Sequence, residues 1–421
     1  MRVDLPYGEG VLNIDLPDSS TVVIEPRQYG GVTDPRAALA QALTRPVAGP
    51  PLRDLVRRGQ TVAISVCDGT RPQPRALVLR AILEQLDGIV DPSDIVVLVA
   101  TGTHRANTPA ELESMLGAEI IDTVRVVNHD CRNPAGLGYV GVLGEGVPVW
   151  LNSEWLAADV RITTGLVEPH FFAGFSGGAK MVAPGLAGLD TVLVLHDSKR
   201  IGDRRARFGV IDGNPVQSDV RAIAMATGVA FALDVVVNRR RDIVAAFGGE
   251  LLSMHEAATR LCRDIAMVPV EAPFEVVLTT NSGYPLDQNL YQSVKGMSAA
   301  AQIVVKGGRI ICAAECRDGF PGSYRDLLAS AGSPAEMLRD IEGRSETVPD
   351  QWQAQIQAKI LCEADVAVHC SGISDAELVE VGLAPAGDIA ACAGEALGRA
   401  GAGARLCVLP DGPQTIPYIT V

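Results

Sequence analysis

Short apolar segments that alternate with longer helical patterns constrain the fold of this chain more than any other feature. Several of these segments are apolar on both alternating faces, which is typical of parallel strands covered by helices on each side. The sequence therefore predicts an α/β fold with mainly parallel sheets flanked by helices. The segments expected to form strands are Thr61–Val66, Ile95–Ala100, Arg161–Thr164, Leu233–Val237, Glu275–Thr279, Arg309–Ala313, Asp365–His369 and Arg405–Leu409.

The length of 421 residues exceeds the usual size of one domain, so we expect two α/β domains. The segment Met267–Pro273 contains two prolines and a charged residue, and it separates a helical pattern from a new strand. This favours an N-terminal domain at residues 1–272 and a C-terminal domain at residues 273–421. Within the second domain, the polar stretch Gly343–Gln351 is predicted to be a loop.

Charge and cysteine content indicate which classes of binding partner can be excluded and which cellular compartment is expected. The formal net charge is −14, and an acidic surface argues against nucleic acid or an anionic membrane as a partner. No apolar run approaches the ~20 residues that a membrane span needs, and the N-terminus lacks a signal-peptide core. The nine cysteines are scattered and odd in number, which favours buried free thiols in a reducing compartment. The sequence predicts a soluble, cytoplasmic protein.

Polar, glycine-containing segments follow three of the expected strands. They are Cys67–Pro72, Thr101–Arg105 and Gly165–His170. Open α/β sheets bind ligands at the carboxyl ends of parallel strands, so these segments could converge on one crevice. Of the six histidines, His104 and His170 lie in or beside these segments and are the better candidates for a functional role. His255 has the sequence context of an ordinary helix position.

A glycine-rich segment, Ala173–Lys180, ends in a lysine. Its glycines would let backbone N–H groups approach a phosphate, although a plain tight turn explains the same pattern. The spacing is not that of a P-loop. Further along, Gln292 and Lys295 share one face of a helix expected at Asp287–Val304. A solvated helix start is the alternative interpretation of that second pattern.

No standard catalytic motif accounts for the chemistry of the chain. The sequence has neither an HExxH motif nor a CxxC pair, so a zinc site made only from protein ligands is unsupported. The string GFSGG places a serine between glycines, but its spacing is wrong for a nucleophile elbow. These absences leave the function open at the level of single motifs.

Taken together, the segments DGTRPQP, EPHFFAGFSGGAK and DQWQAQI, with a histidine sixteen residues after the lysine, resemble the lactate racemase family. The resemblance covers most of the chain. It implies a cofactor in which nickel is held by a pincer nucleotide, pyridinium-3-thioamide-5-thiocarboxylic acid mononucleotide, made and loaded by separate maturation enzymes. It also implies an active site in the cleft between the two domains, the N-terminal one binding the cofactor and the C-terminal one closing over the site.

The resemblance implies roles for individual residues, motif by motif. Lys180 matches the lysine that tethers the cofactor through a thioamide, and His196 matches the fourth nickel ligand. His104 and His170 match the two acid/base histidines. Ala179 departs from the pattern, since the family more often has arginine before the lysine. Five further matches are expected to bind the cofactor, namely Ser176, Gly177, Gly178, Tyr291 and Trp352. Four are expected to bind the substrate, namely Asp68, Arg71, Gln292 and Lys295.

The reaction implied by the resemblance is racemisation of small anionic, lactate-like 2-hydroxy acids by reversible hydride transfer. Two other functions stay open, namely epimerisation of a sugar acid with the same cofactor and nucleotide or anion binding by a cofactor-free relative. A zinc hydrolase is a further alternative, which would hold zinc rather than nickel after purification. The presence of both Lys180 and His196 favours the cofactor-dependent functions.

Overall fold

The computed structural model describes residues 1–420, which form two compact units. The central unit consists of Gln28–His196 and Arg204–Asp264. The terminal unit consists of Met1–Arg27, Asp197–Asp203 and the chain from Ile265 onward. Each unit is built around one large sheet of mainly parallel strands.

The strands and helices alternate along most of the chain. The strands are β1 (Arg2–Tyr7), β2 (Gly10–Asp15), β3 (Thr21–Val23), β4 (Val62–Cys67), β5 (Ile95–Ala100), β6 (Arg125–Asn128), β7 (Leu137–Leu143), β8 (Val147–Asn152), β9 (Val160–Leu166), β10 (Pro169–His170), β11 (Gly174–Phe175), β12 (Phe231–Val237), β13 (Ile243–Gly249), β14 (Met267–Val270), β15 (Phe274–Thr280), β16 (Val304–Ala313), β17 (Asp365–His369), β18 (Ala384–Pro385), β19 (Leu406–Leu409) and β20 (Ile416–Ile419).

The helices vary from one turn to more than four turns. The α-helices are α1 (Pro35–Thr44), α2 (Arg75–Leu86), α3 (Pro109–Leu116), α4 (Ala118–Thr123), α5 (Ser153–Ala157), α6 (Leu189–Leu195), α7 (Ser198–Gly202), α8 (Pro215–Ala226), α9 (Leu251–Ala266), α10 (Leu290–Ala300), α11 (Tyr324–Ala329), α12 (Pro334–Glu342), α13 (Gln351–Glu363), α14 (Asp375–Glu380) and α15 (Ile389–Ala400). Short 3₁₀ helices lie at Leu52–Leu55, Pro92–Asp94, Pro134–Gly136, Gly178–Met181 and Gly412–Gln414.

The sheet of the central unit has the order β13-β12-β9-β4-β5-β6. All neighbouring strands are parallel except β12 and β13, which are antiparallel. All residues of β4 are buried, as expected for a central parallel strand. The chain runs from β4 to β5 and β6 on one side and then returns to β9 on the other. The border between β4 and β9 is therefore the topological switch point, where sheets of this kind bind ligands.

Helix α2 packs against this sheet and supports the segment that follows β4. Its apolar residues, among them Leu79 and Ile82, recur with helical spacing and are fully buried. They belong to the same core cluster as Ile64 of β4 and Val97 of β5. Burial of each such side chain contributes about 1.5–3 kcal/mol. The strands that precede the polar segments are thus held in place by one apolar core, which they share with helix α2.

The sheet of the terminal unit has the order β18-β17-β16-β15-β19-β3, and all of its strand pairs are parallel. Its edge strand β3 comes from the N-terminal segment and pairs with β19. The preceding β1–β2 hairpin contributes Leu5 to a core cluster with Val276 and Val408. The N-terminal residues are therefore part of the core that the C-terminal part of the chain builds.

The structure confirms the predicted fold class. Strands are present at all eight expected positions, and β5 and β17 have the predicted bounds. The helix expected at Asp287–Val304 is the shorter α10. The compact units are discontinuous in sequence, whereas the expected ranges 1–272 and 273–421 are continuous, because β3 pairs with β19. The functional roles expected of the two ranges stay predictions.

Within residues 1–420, no helix combines the length and the apolar character that spanning a bilayer requires.

Leu5→Ala should destabilise the protein, although the substitution lies far in sequence from the strands that it contacts. Leu5 is fully buried, whereas Val11 of the same hairpin is 58% exposed. Loss of a buried leucine side chain costs about 2–5 kcal/mol, while exposed substitutions stay within about 0.5 kcal/mol. Urea unfolding of the full chain measures the free energy of unfolding of Leu5→Ala and of the matched control Val11→Ala. Equal stabilities of the two variants would contradict the placement of this hairpin in the core.

Candidate functional site

The switch point of the central sheet brings together polar side chains from three loops. Asp68 follows β4, His104 follows β5, and Glu168 and His170 follow β9. Because β4, β5 and β9 are parallel neighbours, their carboxyl ends meet at one edge of the sheet. The sequence predicts that these three segments converge. A hydrogen bond between Asp68 and His104 and an ion pair between Arg71 and Glu168 join residues of all three loops.

Asp68 and His104 form a hydrogen-bonded pair. The His104 Nδ1 lies 2.7 Å from Asp68 Oδ2, and the Thr70 hydroxyl donates to Asp68 Oδ1 at 2.7 Å. Burial by itself raises the pKa of Asp68, but the charges and hydrogen bonds of His104, Arg71 and Thr70 outweigh it and hold that pKa at about 2. The ionised carboxylate therefore accepts from Nδ1–H, which places the lone pair of a neutral His104 on Nε2.

Arg75 braces the loop that carries Asp68 and Arg71. Its side chain is buried, and its Nε donates to the Cys67 carbonyl at 2.7 Å. The Nη2 donates to the carbonyls of Asp68 and Arg71. One guanidinium with five N–H donors thus satisfies several backbone acceptors of a single tight loop. The sequence analysis missed Arg75, and its only signal is a charged residue at the start of the amphipathic helix α2.

Arg71 forms an ion pair with Glu168. The Arg71 Nε lies 3.2 Å from Glu168 Oε1, and both side chains are partly exposed. The pair connects the loop after β4 with the loop after β9. Glu168 is a second residue that the sequence analysis did not select, although it stands two positions before His170 in the motif. A cation that remains accessible at the switch point suits the binding of a small carboxylate.

The glycine-rich turn depends on two glycines with left-handed backbone conformations. Gly177 has a φ of 72° and Gly178 a φ of 52°, values that favour glycine. A Cβ atom at Gly178 would lie 2.7 Å from the His255 ring, and one at Gly177 would lie 2.5 Å from Asp234 Oδ2. Both positions therefore require glycine for conformation and for space. Their expected contact with a cofactor stays a prediction.

Two buried side chains hold this turn in place. The Gly178 N–H donates to Asp234 Oδ2 at 2.7 Å, and the His255 Nε2 donates to the Ser176 carbonyl at 2.8 Å. Burial raises the pKa of Asp234 to about 7 and lowers that of His255 to about 4. His255 is therefore more than the ordinary helix position that its sequence context suggests.

The Ser176 side chain closes the loop between β9 and the glycine-rich turn. Its hydroxyl donates to the Leu166 carbonyl at 2.7 Å and accepts from the Glu168 N–H at 3.0 Å. These contacts join the two ends of the loop that carries His170. The hydroxyl thus has a structural role in this chain, and its expected role in cofactor binding stays a prediction.

Lys180 and His170 lie side by side. The Lys180 Nζ is 3.1 Å from His170 Nε2, while the Ala173 N–H donates to His170 Nδ1 at 3.2 Å. Because Nδ1 accepts a hydrogen bond, the proton of a neutral His170 lies on Nε2 and faces the amine. Burial, together with the charge of Arg71, lowers the pKa of Lys180 to about 7, against the opposing effect of Glu168. A substantial fraction of the amine is therefore neutral at physiological pH.

His196 is a buried imidazole with a defined tautomer. Its Nδ1 lies 2.8 Å from the Val192 carbonyl and donates to it, so that Nε2 carries the lone pair of the neutral ring. Burial lowers the pKa of His196 to about 4, assisted by the charge of Lys180. The Phe172 ring contacts both His196 and His170 edge-on, with centroid distances of 5.3 and 4.5 Å. A neutral imidazole held in this way can serve as a metal ligand.

The remaining predicted site residues lie in the terminal unit and contact one another. In α10, Lys295 Nζ donates to Gln292 Oε1 at 2.5 Å. The Trp352 Nε1–H donates to the Tyr291 hydroxyl at 2.6 Å. Gln292 is buried, and Asn289 caps the helix by accepting from the Gln292 N–H. The helix start is thus a hydrogen-bonded, mostly buried arrangement rather than the solvated turn that was the alternative.

Metal binding by protein groups alone has no support in the described residues. Among residues 1–420, no three histidine, cysteine, aspartate or glutamate side chains are grouped so that they could hold a metal ion. His196 could contribute one ligand to a metal that is otherwise held by a non-protein group.

Comparison with known proteins decides the family. Models of the lactate racemase N-terminal and C-terminal domains match residues 7–209 and 270–416. A lactate racemase from Thermoanaerobacterium thermosaccharolyticum is 35% identical over 426 aligned positions, covering 99% of each chain. A lactate racemase from Lactiplantibacillus plantarum is 32% identical, covering 98% of each chain. The chain belongs to the lactate racemase family.

Solved structures agree with the assignment to the lactate racemase family. The lactate racemase apoprotein from Thermoanaerobacterium thermosaccharolyticum matches with a TM-score of 0.92 and 33% identity, covering 99% of this chain and 100% of that one. A protein from Thermotoga maritima matches with a TM-score of 0.71 at 20% identity, covering 94% of this chain and 100% of that one, and shares the fold. The family predicted from the sequence motifs is thereby confirmed.

In this member of the lactate racemase family, His255→Gln should weaken the pH dependence of stability. The unfolded chain binds a proton between about pH 6.5 and 4 that folded His255, with a pKa of about 4, does not bind. Stability is therefore lost as the pH falls through this window. Glutamine keeps an N–H donor for the Ser176 carbonyl but does not titrate.

Urea unfolding at pH 6.5 and pH 4 measures this effect. We expect the wild type to lose on the order of 3 kcal/mol more than His255→Gln over this interval. His369→Gln serves as the control, since His369 lies in the terminal unit and bonds to the Ala386 carbonyl. That variant should keep the wild-type slope, and equal slopes for all three proteins would show that His255 does not cause the dependence.

Proposed function

We propose that this protein is an isomerase that racemises lactate-like 2-hydroxy acids with the help of nickel and a pincer nucleotide. The observation that carries the proposal is the presence, at one edge of the central sheet, of two histidines that are each oriented by a partner. His104 is oriented by Asp68, and His170 lies against Lys180. The relatives named lactate racemase support lactate as the first substrate to test.

The chemistry of the substrate explains why protein side chains need help. The C–H bond next to a carboxylate is very weakly acidic, because removal of the proton would place a second negative charge beside the first. Removal of a hydride instead gives a neutral ketone beside the carboxylate, and no amino-acid side chain accepts a hydride. When bound, the nickel pincer nucleotide would supply that acceptor.

The residues present fit such a group. A lysine with a pKa of about 7 has enough neutral amine to form a covalent bond to a carbonyl-type carbon. A neutral imidazole with its lone pair on Nε2 is a suitable ligand for Ni²⁺, and the family cofactor supplies the remaining donors. We therefore propose that Lys180 holds the nucleotide and that His196 binds the nickel. Ala179 is buried and uncharged, so that phosphate contacts at this position would come from backbone N–H groups.

Substrate binding is proposed for cationic and amide side chains of both units. Arg71 is accessible at the switch point and can hold a carboxylate bidentately. Gln292 and Lys295 are hydrogen-bonded to each other on α10 of the terminal unit, and both side chains carry N–H groups that can donate to a carboxylate. Asp68 acts through His104 rather than on the anionic substrate, because two negative charges would repel each other.

The two histidines are proposed to move the hydroxyl proton. His104 presents Nε2 as the basic atom, because its Nδ1–H bonds to the ionised Asp68. His170 instead presents an Nε2–H as a proton donor, because its Nδ1 accepts from the Ala173 N–H. One histidine takes the hydroxyl proton of one enantiomer, and the other donates its own proton as the opposite enantiomer forms, so racemisation needs both.

The cellular setting belongs to the same proposal. All nine cysteines are free thiols, which suits the cytoplasm. Maturation enzymes that make and load the nucleotide would be its protein partners. A sugar acid remains the alternative substrate class, since it presents the same carboxylate and hydroxyl to these residues.

His104→Gln and His170→Gln should each reduce racemisation in both directions by about a hundredfold or more, because loss of a general acid or base costs about 10²–10⁴ in rate. The protein is co-expressed with the maturation enzymes, and chiral chromatography follows single enantiomers of lactate and of larger 2-hydroxy acids. His369→Gln is the matched control and should retain wild-type rates. Full activity of either active-site variant would overturn the assignment of two acid/base histidines.

His196→Ala should lose nickel while keeping the covalent nucleotide, whereas Lys180→Arg should lose the covalent nucleotide. Nickel should be lost because the imidazole that binds the metal is gone. The covalent nucleotide should be lost because arginine stays protonated and is not a nucleophile. Elemental analysis gives the nickel content and intact mass spectrometry gives the adduct. If His196→Ala retained full nickel, the proposed ligand would be wrong. If nickel and adduct are present without racemisation of any 2-hydroxy acid tested, a sugar acid becomes the preferred substrate.

A further inference from the structure

The surroundings of Lys180 suit a reaction that needs no cofactor. Its amine lies 3.1 Å from His170 Nε2 and 5.3 Å from the centre of the Phe172 ring. Lys180 as a residue is partly exposed. Arg71, whose charge acts on Lys180, is accessible as well. An amine, an acid/base group and a carboxylate-binding cation therefore occupy the same small region.

These three groups are the components of imine formation with a carbonyl compound. A lysine becomes nucleophilic when burial and a neighbouring cation favour its neutral form, and both causes lower the pKa of Lys180 to about 7. Condensation also needs a proton donor for the departing oxygen, and the proton on a neutral His170 faces the amine. The cation would select a carbonyl compound that carries a carboxylate.

We propose that the protein without its cofactor condenses reversibly with 2-oxo acids at Lys180. The amine nitrogen bonds to the carbonyl carbon, and the carbonyl oxygen leaves as water. His170 donates its Nε2 proton to that oxygen and regains a proton from the amine nitrogen, so that the water formed accounts for the two amine protons. The product is an imine, and hydrolysis by the same route restores the free amine. No oxidant or reductant is involved. This activity is independent of nickel, of the pincer nucleotide and of racemisation.

Two other lysines, Lys306 and Lys359, have different surroundings and serve as internal controls. Lys306 is 82% exposed and lies near Glu363. Burial lowers the pKa of Lys359 also, but the charged groups that act on it are the carboxylates Glu342 and Asp203. Carboxylates would repel a 2-oxo acid rather than bind it. Selective reaction at Lys180 would therefore reflect the arrangement around it and not the general reactivity of lysine.

The test uses the full-length chain, produced in a host that lacks the maturation enzymes. The protein is incubated with pyruvate and sodium cyanoborohydride, and peptide mass spectrometry locates the reduced adduct. We expect the adduct at Lys180 and far less at Lys306 and Lys359. Acetone, which has the carbonyl but no carboxylate, should label Lys180 much more weakly. Absence of the adduct at Lys180, or equal labelling of the three lysines, would overturn the proposal.

Variants separate the contributions of the neighbouring residues. Arg71→Gln should raise the pyruvate concentration needed for half-maximal labelling by about tenfold or more, the value of one charge-assisted hydrogen bond. His170→Gln should slow labelling at saturating pyruvate by about a hundredfold. Lys359→Arg is the matched control and should label Lys180 as the wild type does. Unchanged labelling in both active-site variants would show that the amine reacts without the proposed assistance, which contradicts the proposal.

The two proposals fail independently. If the loaded enzyme racemises 2-hydroxy acids but the cofactor-free chain gives no adduct at Lys180, only the imine proposal is overturned. If the adduct forms and no racemisation is observed, only the proposed racemisation of lactate-like 2-hydroxy acids is overturned.

Discussion

The hydrogen bond from the Gly178 N–H to the buried Asp234 carboxylate holds the turn from which Lys180 extends. A second bond, from His255 to the Ser176 carbonyl, fixes the other side of the same turn. Neither Gly177 nor Gly178 has space for a side chain beside these two groups. Because Lys180 follows only two residues after Gly178, the bonds that fix the turn also position the backbone from which the Lys180 side chain extends. The reactive pair thus depends on side chains that bind the backbone of the turn.

Burial then determines which of these groups carry charge. It lowers the pKa values of Lys180 and His196 to about 7 and about 4, and it raises that of Asp234 to about 7. The neutral amine and the neutral imidazole are the forms that bond to an electrophilic carbon and to a metal. Asp68 is the exception, since His104, Arg71 and Thr70 keep it ionised despite its burial. One ionised carboxylate beside His104 is sufficient to orient that ring.

The sequence predicted the parts of this arrangement that local pattern controls. Buried parallel strands such as β5 and β17 are runs of apolar residues, and polar segments after strands mark the edge where ligands bind. The partners Asp234 and His255 could not be predicted, because they lie 56 and 79 residues from the groups that they bind. The role of Arg75 could not be predicted for a different reason. Its partners are backbone carbonyls, which every residue has, so no residue type in the sequence marks them.

The same limit explains the composition of the two units. A three-residue strand such as β3 has too little sequence to show a period, and its partner β19 lies nearly four hundred residues further along, since Thr21 pairs with Leu406. Chain order therefore gives no indication that residues 1–27 belong to the terminal unit. Asp197–Asp203 presents the same problem, because the Ser198 carbonyl accepts from Gln355, far along the chain. Only pairing and packing reveal such membership.

His196 illustrates what this division means for the proposed site. It is the last residue of the central unit before the chain enters Asp197–Asp203. Its ring is fixed by the Val192 carbonyl and by Phe172, both of the central unit. Both of these contacts lie within the central unit. Gln292 and Lys295, in contrast, are positioned by the cap and the contacts of α10 in the terminal unit. Under the proposed function, holding the cofactor metal and binding the substrate thus rest in part on separate cores.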